Sequence, residues 1–338
     1  MQTLIIIINI IALVFTGWFI DWALRHDKKK KMLVPGILVL ALIVIAALPF
    51  YGSTYSMILM TSILMYTILT VSWTLFSGPT GYISLAPAAF FGVGIYTSAI
   101  LGKHYPIISV VIIGGLISFC LAVLVGALTL RLRGIYFAIF TFGLVQLMSA
   151  FLLWYEIKFT GTRGRFVVVI NNQTIFYIML VIFISLLITS YFIRRSKYGL
   201  ALQSIGQYEE AAAHIGINVT AIKIVVFAIS ALFMGMAGAI MATRWTYVDP
   251  YSAFDSFISF LPVLMAIFGG MRQFYGPVLG ACIFAYLEEL LLTKFPYYYK
   301  LSFGIVLVAV ILYLPDGLVG LIQTLRNRIS RGRNAIFS

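Results

Sequence analysis

The chain has 338 residues, of which 62% are hydrophobic and only 10% charged, and it carries a formal net charge of +13. A soluble domain is nearer half apolar and a quarter charged, and a single core cannot hide so large an excess. The basic residues stand in short clusters beside apolar runs, which argues against a nucleic-acid surface and for an all-α polytopic membrane protein.

Taken in order, eleven apolar segments are candidate crossings: 3–20, 33–50, 56–76, 83–101, 107–130, 134–154, 174–193, 222–243, 257–268, 276–293 and 301–321. A bilayer needs about 20 residues of helix, so 257–268 is short and reads as a broken or re-entrant helix. The first segment opens MQTLIIIINI with no basic residue ahead of it and no small-residue cleavage site near Trp18 to Trp22, so it reads as a span. The following loop, RHDKKKK (Arg25 to Lys31), places itself inside and the N-terminus outside. It is also a candidate for anionic lipid, although orientation alone accounts for it. Arg131 and Arg133, then Arg194, Arg195 and Lys197, and finally the basic tail 322–338 all fall inside under the same count. Lys158, Arg163 and Arg165 fall outside, against the rule.

Between Gly78 and Ile95 the chain reads GPTGYISLAPAAFFGVGI. Proline removes a backbone donor and glycine permits unwinding, so a helix should break here. Such a break is tolerable in a membrane only against protein or a watery cavity. Two readings stand: a broken helix whose N–H groups meet a substrate carboxylate, or glycines that only let helices pack closely. Under the first, Gly78, Thr80, Gly81, Tyr82, Ser84 and Pro87 line the substrate path, with Thr80 and Ser84 supplying hydroxyls. Gly269-Gly270 and Gly276-Pro277 form a second interruption.

The segment 194–221 holds QYEEAAAHIGIN, too polar to span and rich in helix formers. It predicts a stub helix along the cytoplasmic face, capped by Gly216 in the left-handed region and followed by a new helix at Asn218. Small alanines would let another surface approach, and a carboxylate would meet a partner's donor. The plain alternative is a solvated connector.

Here the chain resembles a known family. Glu209, Ala211, Ala212 and Gly216 match the Glu-x-Ala-Ala-x-x-x-Gly core by which ABC-importer permeases dock on their ATPase subunits. The continuation GINVTAIKIVVFAISALFMGMAGAIMA resembles the longer permease subunit of the branched-chain amino acid importers. So do GPTGYISLAPAAFFGVGIYTSAILG, RLRGIYFAIFTFGLVQL, GGMRQFYGPVLGACIF and LYLPDGLVGL, in the family's order between Trp73 and Leu321. The resemblance implies a single transmembrane permease domain (1–338) in a prokaryotic plasma membrane, moving a small amino acid inward. It implies a second permease, ABC ATPase subunits carrying ATP and Mg, and an extracytoplasmic substrate-binding protein. No GxxxxGK[ST] loop occurs, so this chain is read as a transport subunit with no cofactor of its own and no catalytic residue. Where relatives read Gly-Gln-(Leu/Ile)-Ser-Leu-Gly-His-Ala, this chain has Tyr82 for the glutamine and Ala86-Pro87 for Gly-His. That keeps urea or short-chain amides open as substrates, and a self-sufficient passive channel as a further alternative.

The remaining polar residues carry plainer expectations. Asp249 and Asp255 read as solvated loop residues, and Glu156, Lys158 and Arg165 as an outer loop. Glu288 and Glu289 are expected to pair near the outer interface with Lys294 and Lys300. Cys120 and Cys282 read as small buried hydrophobes, and His26, His104 and His214 show no metal spacing.

Overall fold

A computed structural model of the chain describes residues 2–25, 34–132, 134–271, 273, 275–295 and scattered positions to 320. Most of the segment expected at 301–321, the tail 322–338, Arg133, Lys300 and most of the first basic loop lie outside the described residues. Among those described, seven helices are long and apolar enough to cross a membrane. They are α4 (Thr54–Thr80), α6 (Ile107–Thr129), α7 (Ile135–Tyr155, prolonged by a π turn to Thr160), α8 (Asn172–Arg195), α11 (Val219–Ala242), α12 with α13 (Pro250–Ala253, Ser256–Gly269) and α14 (Tyr275–Lys294). Before them stand α1 (Gln2–Arg25), α2 (Val34–Ala46) and the four-residue α3 (Leu48–Tyr51). Helix α5 (Pro87–Leu101) has 15 residues, too few to cross alone.

The centre of the molecule is α4, α5 and α11. The most apolar stretches of α4 and α11 are 83% and 72% buried, against 33% and 28% for α6 and α7, which therefore lie at the periphery. Every residue of α5 from Pro87 to Ala99 is buried. This packing needs small residues: a methyl group at Gly94 would collide with the Gly235 carbonyl, and one at Gly235 with the Ser118 hydroxyl. Closer to the C-terminus, Gly269 and Gly276 let α13 and α14 meet backbone to backbone, so the second interruption is a tight turn between packed helices.

The two ends of the bundle differ. At one end α8 hands over to α9 (Lys197–Gln207), α10 (Glu209–His214) and the start of α11. At the other, β1 (Arg165–Phe166) pairs antiparallel with β2 (Tyr247–Val248). Glu156, expected on a simple loop, is buried there and accepts from Gly164 N at 2.7 Å and Arg165 Nε at 3.2 Å. Asp249 and Asp255 are helix caps, accepting from Ser252 N at 2.9 Å and Phe257 N at 3.0 Å, because each precedes orphan amides.

Two expectations about isolated side chains are corrected. Cys282 is buried but Cys120 is exposed, since it sits on the outward face of the peripheral α6. Glu288, expected at the outer interface, is instead buried and accepts a bond from Tyr66 on α4 at 3.1 Å.

Candidate functional site

The break expected between Gly78 and Ile95 exists, and the glycines beyond it serve close packing. Helix α4 runs through Pro79 to Thr80 and stops at Gly81, whose φ of 73° suits a left-handed cap. Residues 81–86 are non-helical, and Pro87 then opens α5 at a first-turn position that needs no N–H. Beyond it Gly92 and Gly94 serve packing.

Three of the backbone donors around the break are taken within the protein. Leu85 N reaches Thr141 Oγ1 at 2.9 Å, Ala88 N reaches Ser259 Oγ at 3.2 Å and Ala86 N reaches Ser84 Oγ at 3.3 Å. Trp73 Nε1 donates to the Ser84 carbonyl at 2.7 Å. Thr80 and Ser84 are both buried, and Thr80 Oγ1 donates back to Phe76 O at 2.7 Å. The void beside Ser77, Ser84, Pro87 and Phe227 measures about 10 Å³, room for at most one water. Gly78 is half-buried at the end of α4. These residues thus form the floor of the break within this subunit.

Tyr82 has a different neighbourhood from Ser84. Its hydroxyl donates to Glu209 Oε2 at 2.6 Å, while Lys223 Nζ donates to Glu209 Oε1 at 2.8 Å. Lys223 also donates to the Tyr82 hydroxyl at 3.1 Å and to the Leu130 carbonyl at 3.0 Å. All three donor positions of this side chain, only 1% exposed, therefore have acceptors, as a buried polar group requires. Glu209, expected to reach outward to a partner, is turned inward instead and joins α10 to α11 and to the helix break. Lys223 escaped the sequence reading. Its signal was a lone cation four residues into an apolar helix that follows a pair of glutamates.

The local chain makes α10 a small rigid knob. Ile217 N bonds to Ala212 O at 3.2 Å and Gly216 N to Ala213 O at 3.0 Å, with Gly216 at φ 86°. This is the paired closure of a Schellman end, and it realises the expected glycine cap. Ala212 is buried against Ile205 and Val219, with Ile217 packed alongside. Ala211, His214 and Gly216 face outward, and Tyr208 and Ile215 are 63% and 74% exposed. Asn218 then caps α11 by accepting from Ala221 N at 3.1 Å. Gly206 of α9 presses so closely on the Pro79 carbonyl that no side chain would fit between them. Between these parts lies a cleft of about 320 Å³, lined by Thr80, Gly81, Tyr82, Gln207, Glu209 and Glu210 among others. Among the described residues no group of His, Cys, Asp and Glu has the makings of a metal site.

A broken helix wired to a capped knob can now be set beside known proteins. The family described as "Branched-chain amino acid transport system / permease component" matches residues 55–311. The chain belongs to this permease family. The high-affinity branched-chain amino acid transport system permease protein LivM of Salmonella typhimurium is 27% identical over 341 residues, covering 88% of this chain and 80% of LivM. LivM of Escherichia coli K12 is 26% identical over 344 residues, covering 91% of this chain and 80% of its own length. LivH of Escherichia coli K12, another permease protein of that transport system, is 28% identical over 145 residues, 42% of this chain and 46% of LivH. No solved structure matches. A branched-chain permease of this kind is a multi-pass membrane transport subunit, as the apolar helices require.

Proposed function

We propose that this chain is the permease subunit of an ATP-driven importer that carries branched-chain amino acids inward across a prokaryotic plasma membrane. The observation that carries the reading is the α10 knob, rigidly capped, exposed through Tyr208, Ala211 and Ile215, and bonded through Glu209 to the helix break at Tyr82. ATP and Mg belong to separate ATPase subunits that receive this knob. A second permease, an extracytoplasmic binding protein and the surrounding lipids complete the assembly. The α9–α10 end faces the cytoplasm and the β1–β2 end the outside, so that segment 194–221 is the coupling loop and the N-terminus is external. Eleven crossings, with α5 completing its own only together with the non-helical residues 81–86, the last at 301–321 and the basic tail 322–338 inside, are the count that satisfies the charge clusters.

The mechanism follows from the wiring. ATPase closure moves α10, and the ionic bond from Glu209 to Lys223 with the hydroxyl of Tyr82 passes that motion to α11 and to residues 81–86. A push is transmitted only because the contacts are fully satisfied and short, so the two arrangements of the wall are discrete.

The test separates docking from folding. Ile215→Asp and Ala211→Trp alter only exposed positions, so the spans should stay intact while capture of the ATPase subunits in detergent and ATP-driven leucine uptake fall at least tenfold. Normal capture and uptake in both variants would remove α10 from the docking surface. Uptake of urea or a short-chain amide in place of leucine would move the substrate assignment while leaving the coupling reading in force.

A further inference from the structure

The buried floor of the break leaves open where a solute touches this subunit, and α7 supplies an answer. Its exposed side divides into two stripes. Tyr136, Phe140, Leu147, Phe151 and Trp154 form a bulky apolar stripe suited to lipid. Ile139, Gly143, Gln146 and Ala150 form the other, one exposed helical face that is small and polar from Gly143 to Ala150. Gln146 stands eleven residues from Ile135 and nine from Tyr155, so it lies about 15 Å from either end of the helix. Its Nε2 donates to Ser256 Oγ at 2.7 Å, at the first residue of α13. Nothing would touch a side chain at Gly143. Below the pair, Phe142 and Phe260 meet with ring centroids 5.6 Å apart.

An exposed amide at this depth is costly against acyl chains, which offer it no partner. It bonds Ser256 through one hydrogen only, leaving its carbonyl and second N–H directed away from that contact. The geometry points to the Gly143–Gln146–Ser256 stripe as this subunit's wall of the solute path, with the amide and hydroxyl holding the polar end of an amino acid and Phe142 and Phe260 flanking an aliphatic side chain. The inference rests on the transport reading above but uses none of the coupling residues.

The test uses the assembled transporter in proteoliposomes, with exposed Cys120 first changed to Ser so that only buried Cys282 remains native. Gln146→Cys and Ser256→Cys are treated with a sulfonated, membrane-impermeant maleimide, and Leu147→Cys serves as the lipid-facing control. The expected result is labelling at 146 and 256 but not at 147, slowed severalfold by leucine with its binding protein. Gln146→Ala should raise KM for leucine about tenfold, the loss of one good hydrogen bond, with ATPase capture unchanged. No labelling at 146 or 256 in any nucleotide state would overturn the inference, because the stripe would then be packed against protein or lipid. Labelling without leucine protection, joined to an unchanged KM, would overturn it too. If the wild type takes up no leucine at all, the transport reading fails first; labelling of 146 against 147 still decides whether this stripe meets water.

Discussion

At the scale of single residues, the arrangement turns on Lys223. Removing one member of its buried ion pair leaves the other charge uncompensated, at a cost of about 3–5 kcal/mol in a closed interior. Because Glu209 keeps 21% of its side chain exposed, the lower part of that range applies here. Lys223→Met, which takes this cation away from the Glu209 carboxylate, should therefore lower the unfolding free energy in detergent by about 3 kcal/mol. Tyr82→Phe removes the donor to Glu209 Oε2 and one acceptor of Lys223 Nζ and should cost about 1–2 kcal/mol while keeping the Lys–Glu pair. If the triad transmits motion, both variants capture the ATPase yet uncouple its hydrolysis from uptake, a split that simple destabilisation does not give. At the opposite end, burial works against the charge of Asp249, but bonds from Ser252 and Arg163 win and hold its carboxyl below the usual range. Its stabilising contribution is thus whole above the ordinary carboxylate value of about 3.9 and is lost as pH falls through the lowered folded value. Exchange of the Ser252 amide should accelerate only in that acid window, and an Asp249→Asn variant should lack the step.

At the scale of elements, the sequence was most legible where backbone chemistry is strict. Proline at 79 and 87 and glycine at 81 announced a broken helix, and Gly216 with Asn218 announced the end of one helix and the start of the next, all of which the structure contains. Partners across space were hidden: no spacing links Tyr82 to Glu209 over 127 residues or Leu85 to Thr141 over 56. The same limit explains Glu209, whose direction depends on a cation on the next helix. Gly216→Ala tests the element itself. A left-handed residue with a Cβ costs about 1–2 kcal/mol, enough to fray a six-residue helix, so ATPase capture should weaken while the spans hold.

At the scale of the whole molecule, burial sorts the helices by role. The three central ones hold the break and the buried lysine, whereas α6 and α7 offer large outward faces for lipid and, in the proposed assembly, for a second permease. The proposed orientation is tested at this scale. A cysteine at Gln203, on exposed α9, should react with impermeant reagent only from the cytoplasmic side, and one at Phe166 only from outside; the reverse pattern would invert the importer.

The two-residue bridge of β1 with β2 then acquires a meaning. With Arg163 bound to Asp249 at 2.7 Å, it ties the loop after α7 to the loop after α11. A rod fastened at one tip and pushed at the other does not slide; it swings. Helix α11 has 24 residues and is about 36 Å long, so a displacement of about 2 Å at Val219 becomes a tilt of about 3°. In the proposed mechanism the bridge would serve as the pivot of that swing, and cutting it should let ATPase motion escape as translation, spending ATP while the wall stays shut.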